Sequence, residues 1–335
     1  MLDAPSQKEL LESLAKSFTA EDIDELGRIV LGKFSAENRL GLQSHVTVPV
    51  RDAAAVLLEE ASEKNKLGQL IQVVVEADGH PLRGRTVSVS GLEEFLAGLS
   101  RAGWVYDFKK RKLRHLRGDE DDLPNWGALK EGREYRVTVA SVDIVGNSQL
   151  VAEHGNRTVK KLYYRFWEFL RRTLVVYDGR IWSWAGDGGV IAFAFKKQCP
   201  RAVRWSLELQ RLMALFNTTT SDLVDGDISV RVALDTGDVV FHDDAGEIVS
   251  ETINFAAHLE KMYTDPGAVS ISRAVYQELN EKLGSFFQSG GTFEGRAVFR
   301  SSLQDEHAAD GSSISSGNHN AERATEPEPG GKPAV

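Results

Sequence analysis

Between residues 135 and 241 the hydrophobic pattern switches between the two-residue period of strands and the 3.6-residue period of helices in an order that few folds share. Residues 135–143 alternate toward an apolar strand that ends on Asp143. Ile144-Val-Gly-Asn-Ser148 turns the chain, and a long amphipathic helix is expected through Leu162, Phe166, Phe169, Leu170 and Leu174. Residues 179–195 read as strand, tight turn, strand, with the glycines around Asp187 supplying the positive φ of a short hairpin. A helix over 200–216 and a strand over 228–241 complete a β-α-β-β-α-β succession, which is ferredoxin-like topology. The expected class is α+β, an antiparallel sheet with helices.

Residues 1–82 read as helices ahead of that unit. Leu10, Leu11, Leu14 and Phe18 fall at helical spacing, as do Ile23, Leu26 and Val30. Thr19 stands three residues before Asp22, an acidic capping box for the second helix. Pro49 opens another helix, and a further one runs through Leu67, Leu70, Ile71 and Val74. Short helices need one another's apolar faces, so a small all-α bundle is expected. Residues 83–134 read as transitional: a helix over 92–99, a strand from Trp104, the basic run 109–112 with the acidic run 118–122 after it, and a linker rich in turn residues. The basic run reads as a solvated face. Residues 303–335 are polar, with too little apolar surface to offset ordering entropy, so a disordered tail is expected.

Composition excludes several classes. One cysteine, Cys199, rules out an internal disulfide framework and a multi-cysteine metal site. The net charge of −9 argues against a general nucleic-acid coat. No run approaches the roughly 20 apolar residues of a membrane span, and the polar start has no signal-peptide core. The expectation is a cytoplasmic protein with neither nucleic acid nor membrane as partner.

The chemistry lies in where the acids fall. Asp143 ends one strand and Asp187 sits in the turn of a hairpin. If the strands are neighbours, both carboxylates project at one edge and repel each other unless cations bridge them. Magnesium or manganese suits an all-oxygen site shared with substrate phosphates. A pair of ions there would serve phosphoryl or nucleotidyl transfer. The amides of Val145, Gly146, Asn147 and Ser148, at a helix start, would face a triphosphate. Taken singly, an aspartate at a strand end or in an Asp-Gly turn is an everyday structural choice.

Taken together, residues 135–300 resemble the class III nucleotidyl cyclase catalytic domain. The matching pieces are Val-Asp143-Ile-Val-Gly, Ala-Gly-Asp187-Gly, Ile228-Ser-Val-Arg-Val-Ala-Leu-Asp-Thr-Gly-Asp-Val-Val240, Thr252-Ile-Asn254-Phe-Ala-Ala-His-Leu-Glu260 and Ala268-Val-Ser-Ile-Ser272. The resemblance implies a cyclase palm, a homodimer with sites at its interface, and two metal ions per site. It makes Asp143, Asp187 and the Ile144 carbonyl metal ligands, and Asn254 the residue that orients the ribose. Arg296 falls near the family's phosphate-binding cation. Residues 1–82 resemble the effector-associated, death-like helical domain of bacterial conflict systems, which implies a protein partner.

Three departures bear on the substrate. Ser183 stands where adenylate cyclases carry a purine-reading lysine, flanked by Trp182 and Trp184; Glu247 stands at the second base-reading position; His258 replaces the arginine that stabilises developing phosphate charge. This pattern, with the helical N-terminus, resembles the pyrimidine cyclases of Pycsar anti-phage defence. The resemblance implies UTP as substrate, CTP second, and cyclic UMP or cyclic CMP as product. Two other readings stand beside it: an adenylate or guanylate cyclase with an altered base pocket, and a silent domain that binds nucleotide or a partner without turnover.

Overall fold

The computed structural model describes residues 2–42, 47–116 and 123–301. Five helices come first: α1 (Ala4–Ser17), α2 (Ala20–Leu31), α3 (Ala36–Arg39), α4 (Val50–Glu63) and α5 (Leu67–Ala77). Their starts are encoded locally. Asp3 accepts from the Ser6 amide at 2.9 Å to cap α1. At α2, Asp22 Oδ2 takes the Thr19 amide at 2.9 Å and Thr19 Oγ1 takes the Asp22 amide at 3.2 Å, the expected capping box. Pro49 immediately precedes α4. The periodic residues Leu10, Leu14, Ile23, Leu26, Leu70, Ile71 and Val74 are buried together.

Next come the two-residue β1 (Pro81–Leu82) and β2 (Arg85–Thr86), then α6 (Leu92–Arg101) and the hairpin of β3 (Trp104–Asp107) and β4 (Lys112–His115). The basic run at the β3–β4 turn is tied to acids of other elements: Arg111 pairs with Glu76, and Lys109 with Asp243 at 3.1 Å. Residues 118–122 and the tail 303–335 lie outside the described residues.

The segment read as a linker is core. Trp126, Ala128 and Leu129 are each 1% exposed. The Trp126 indole stands edge-on to Trp182 and Phe195, and its Nε1 donates to the Asp178 carbonyl at 2.9 Å. Turn residues set how the backbone bends here; whether the bend is buried depends on what it folds onto.

The chain continues through β5 (Glu134–Ile144), α7 (Asn147–Tyr177), β6 (Arg180–Ala185), β7 (Gly188–Ala194), α8 (Gln198–Thr220) and β8 (Val230–Val240). A 3₁₀ turn (Ala245–Glu247) leads to α9 (Glu251–Tyr263), β9 (Val269–Ser272), α10 (Arg273–Gln277), α11 (Glu281–Gly284), β10 (Phe287–Phe293) and β11 (Arg296–Ser301). The sheet runs β10-β11-β9-β8-β5-β7-β6. Its β8-β5-β7-β6 part is the antiparallel arrangement of a βαββαβ unit, and the β8–β9 pair is parallel. The architecture is the expected α+β, a mostly antiparallel sheet behind an N-terminal set of helices.

Alternation divides the sheet into two faces. Ala140, Val142, Ile144, Ile191 and Phe193 pack under α7 and α8 against Phe166, Leu170 and Trp205. On the other face Val137, Val139, Ala192, Ala194 and Val239 join Trp126 and Leu129 in a core continuous with that of the N-terminal helices.

The long helix expected after Ser148 is broken. Along a straight helix at 1.5 Å per residue, Asn147 and Tyr163 would stand about 24 Å apart. Instead the Tyr163 hydroxyl donates to Asn147 Oδ1. Gly155, at φ +75° and ψ 154°, turns the chain back between them, a conformation that costs little without a Cβ.

Candidate active site

Asp143 lies on the face opposite α7 and α8, near the end of β5, paired with Gly188 of β7 on one side and Arg231 of β8 on the other. Asp187 occupies the β6–β7 turn, where Gly186 supplies the positive φ (+66°). The Ile144 amide donates to the Asp187 carbonyl at 3.2 Å, so the two acid-bearing segments are joined through the backbone. Gly188 and Gly189 serve another purpose than the positive φ expected of them. A Cβ on Gly188 would stand 2.7 Å from Asp143 Oδ1, and one on Gly189 would stand 2.3 Å from the Ser183 carbonyl. Gly188 therefore lets the Asp143 carboxylate lie down over the neighbouring strand.

Burial pushes the Asp187 carboxyl above the ordinary range, and the charge of Asp143 adds to it. The Tyr163 hydroxyl is pushed up to about 12 by burial and by both aspartates. Two carboxylates sharing one edge in this way form a donor set that a hard divalent cation fits. Among the described residues no group of three or more His, Cys, Asp or Glu could hold a metal, so further positions at such an ion fall to backbone and ligand oxygens.

Three residues at this edge were not singled out from the sequence. Arg231 Nη2 donates to Asp143 Oδ2 at 2.8 Å. Its Nε lies 2.9 Å from Glu260 Oε1, an ion-pair contact in which neither atom gains an aligned hydrogen bond. Glu260 is pushed up to about 7, by burial and then by Asp143. Arg231 and Glu260 both sit inside motifs quoted above, and strand register alone would have put Arg231 opposite Asp143. Tyr163 had no sequence signal, because it arrives through the break at Gly155.

Around the α7 start, Gly146 takes φ +74° and no side chain caps the helix. The Asn147 side chain accepts from the Tyr163 hydroxyl and lies close enough to Asp187 to counter part of the rise of its carboxyl. The Val145 amide, expected to face a triphosphate, donates instead to the Ser229 carbonyl at 2.9 Å. The amides of Gly146, Asn147 and Ser148 remain as the first turn of the helix.

Ser183 is exposed and pairs with Val190, which in turn pairs with Ser141, placing it on the sheet face of Asp143. A bulge between Ile181 and Ser183 interrupts the alternation expected of this strand. Trp182 is sealed against Trp126 and Phe241, with Nε1 donating to the Pro124 carbonyl at 3.0 Å, and Trp184 packs toward Phe166 on the opposite face. Neither indole is free to narrow a pocket beside Ser183. The 3₁₀ turn that ends on the exposed Glu247 lies against β6, the strand of Ser183.

The remaining candidates stand apart from the acid pair. Asn254 and His258 are exposed on α9, and His258 Nδ1 is 2.9 Å from Glu294 Oε1. At 100° per residue, His258 and Glu260 stand about 200° apart around the helix, so the side that meets Arg231 is not the side that carries His258. Arg296, expected as a phosphate-binding cation, is held by Asp235 at 3.2 Å and by Glu251, and lies 4.4 Å over the Phe255 ring. Within this chain it clamps the start of α9 to the sheet.

The family model described as the adenylate and guanylate cyclase catalytic domain matches residues 129–300. A Rhizobium meliloti (strain 1021) protein named "Putative adenylate cyclase 3" is 27% identical over 168 residues, which are 50% of this chain and 27% of that protein. The chain thus spans about a quarter of that relative's length. Among solved structures, the guanylate cyclase domain of RhGC from Catenaria anguillulae in complex with GTP is 20% identical, with a TM-score of 0.44, over 50% of this chain and 97% of that one. The adenylyl cyclase CyaB from P. aeruginosa is 17% identical, with a TM-score of 0.45, over 50% and 94%. Among the described residues no helix is long and apolar enough to cross a membrane.

Proposed function

The chain belongs to the adenylate and guanylate cyclase catalytic domain family, and from that membership we propose that it cyclises a nucleoside triphosphate, with UTP preferred, CTP second and purine triphosphates poor. The observation that carries the reading is the facing pair Asp143 and Asp187 at one sheet edge, beside the uncapped start of α7. In the reaction the ribose 3′-hydroxyl oxygen bonds to the α-phosphorus, the α–β bridging bond breaks, and pyrophosphate and a proton leave. Asp143, Asp187 and the Ile144 carbonyl would hold Mg²⁺ or Mn²⁺, which supplies Lewis-acid stabilisation of the charge on phosphate. The amides of Gly146, Asn147 and Ser148 would hold phosphate oxygens at the positive end of a helix.

The base preference rests on Ser183 and Glu247. A purine-reading lysine is absent, and Ser183 is open on the sheet face of the acid pair, with the turn of Glu247 beside its strand. A short hydroxyl and a carboxylate match a pyrimidine edge and leave purine groups unpaired, a mismatch that discriminates by as much as about 10⁴–10⁵. The active unit is a homodimer: Asn254 and His258 are exposed to solvent on α9, where they would complete the site of a second copy. The N-terminal helices would receive a protein partner, and the product would act as a second messenger in anti-phage defence. A second reading, ATP as substrate, is favoured by the name of the Rhizobium meliloti relative.

The test is incubation with the four triphosphates at equal concentration and Mn²⁺, products being identified by mass spectrometry. Cyclic UMP should dominate. Mostly cyclic AMP or cyclic GMP would overturn the base preference, and no cyclic product would overturn the activity. Ser183→Lys should weaken UTP turnover first; unchanged UTP kinetics would mean Ser183 does not face the base.

A further inference from the structure

The guanidinium of Arg231 is held on three sides. Nη2 donates to Asp143 Oδ2 at 2.8 Å, Nη1 to the Lys261 carbonyl at 3.2 Å, and Nε lies 2.9 Å from Glu260 Oε1. Its side chain is 20% exposed and that of Glu260 only 7%. Glu260 and Lys261 belong to α9, the helix of Asn254 and His258, whereas Asp143 belongs to β5. One side chain thus joins the acid edge of the sheet to the helix that carries the other candidate residues.

The charges explain why a cation belongs there. Asp143 and Asp187 both raise the Glu260 carboxyl, and Asp143 raises that of Asp187, so three acids crowd one edge. Among the described residues Arg231 is a cation in contact with two of the three. Its hydrogen bond is aimed at Asp143 and not at Glu260, so the carboxylate it orients is that of Asp143. With Oδ2 taken, Oδ1 lies over Gly188, in the space a Cβ would fill, beside the Asp187 turn.

We propose that Arg231 is a positioning residue and resident counter-charge for the acid edge: it fixes the Asp143 carboxylate with Oδ1 toward Asp187, and through Glu260 and the Lys261 carbonyl it locks α9 to that carboxylate. This rests on the cyclase reading for its effect on turnover. Its effect on the fold does not.

Two variants of the full chain separate the roles. Arg231→Gln removes the charge and should lower Tm in EDTA by about 5–10 °C, the scale of breaking a buried pair in a domain of this size. Mn²⁺ should raise the Tm of both proteins, but that of the variant more, closing most of the gap between them, because the added cation takes over the compensation. Arg231→Lys keeps the charge but cannot reach Asp143, Glu260 and the Lys261 carbonyl together. Its Tm in EDTA should stay near wild type while kcat at saturating Mn²⁺ falls about 10–100-fold, the usual cost of losing a group that orients a ligand. An equal Tm loss for Arg231→Gln in EDTA and in Mn²⁺ would reduce Arg231 to packing and overturn the counter-charge role. A wild-type kcat for Arg231→Lys would overturn the positioning role. Should Arg231→Gln fail to fold in EDTA, folding in Mn²⁺ supports the proposal, and failure in both media overturns it. If the wild-type chain makes no cyclic nucleotide, the cyclase reading fails and the Tm comparison still decides the charge role.

Discussion

Trp126→Ala measures how firmly the segment ahead of β5 is built into the sheet. The indole is 1% exposed, with ring centroids 6.3 Å from Trp182 and 5.6 Å from Phe195, and the Arg180 guanidinium 5.5 Å above it. Truncating a fully buried Trp or Phe to Ala costs about 3–5 kcal/mol, the transfer loss plus the cavity left behind. The lost Nε1 hydrogen bond to the Asp178 carbonyl would add about 1 kcal/mol, but Arg201 Nη1 also reaches that carbonyl, at 3.5 Å, and keeps part of it. Trp126 has φ +53°, a strain that Ala shares, so the backbone contribution cancels. The expected loss is therefore about 4 kcal/mol, and Trp126→Phe, which keeps a ring, should lose about 1 kcal/mol. Urea denaturation followed by far-UV circular dichroism reads both, with the m-value unchanged. A loss under about 1 kcal/mol for the Ala variant would refute the reasoning, since no fully packed indole is so cheaply removed.

Asp143→Ala and Asp187→Ala should each abolish cyclic nucleotide formation in a chain that still folds; wild-type-like product from either would remove the acid pair from the site. Neither Asp143→Ala nor Asn254→Ala should be active alone, yet mixing them should restore roughly a quarter to a half of wild-type activity through heterodimers with one intact site. No rescue in mixtures shown to exchange subunits would argue against sites shared between copies. Burial alone would raise the Asp78 carboxyl, but the Val89 amide at 3.0 Å, Arg133 at 2.8 Å and Lys130 at 3.3 Å hold it below the ordinary value. A depressed folded pKa contributes stability that is full above the unfolded value of 3.8 and is lost as pH falls through the folded value. Tm should therefore drop on the acid side of about pH 4, and Asp78→Asn should flatten that limb; an unchanged limb would assign the acid loss elsewhere.

Much of the fold was legible because its signals are local. Asp22 lies three residues from Thr19 and caps α2 whatever surrounds it, and the alternation in 135–143 places Val142 and Asp143 on opposite faces in any sheet. The order of periods sufficed for the four-strand arrangement, because short connections leave a βαββαβ chain little choice of neighbours. Asp143 and Asp187 were legible as a pair for the same reason: a strand end and a hairpin turn meet once the two strands do.

What depended on distant partners had no local trace. Trp126 sits among turn residues, and only the bare face around Trp182 and Phe195 makes it core. Arg296 keeps its charge in any reading of the sequence, but Asp235, 61 residues earlier, decides that the charge is spent on the fold. Arg231 and Glu260 are 29 residues apart on a strand and a helix, and docking α9 on the sheet is what turns an ordinary surface pair into the support of Asp143. Capping and alternation act over a few residues and so can be read along the chain, whereas burial and charge pairing act through space and belong to the tertiary structure alone.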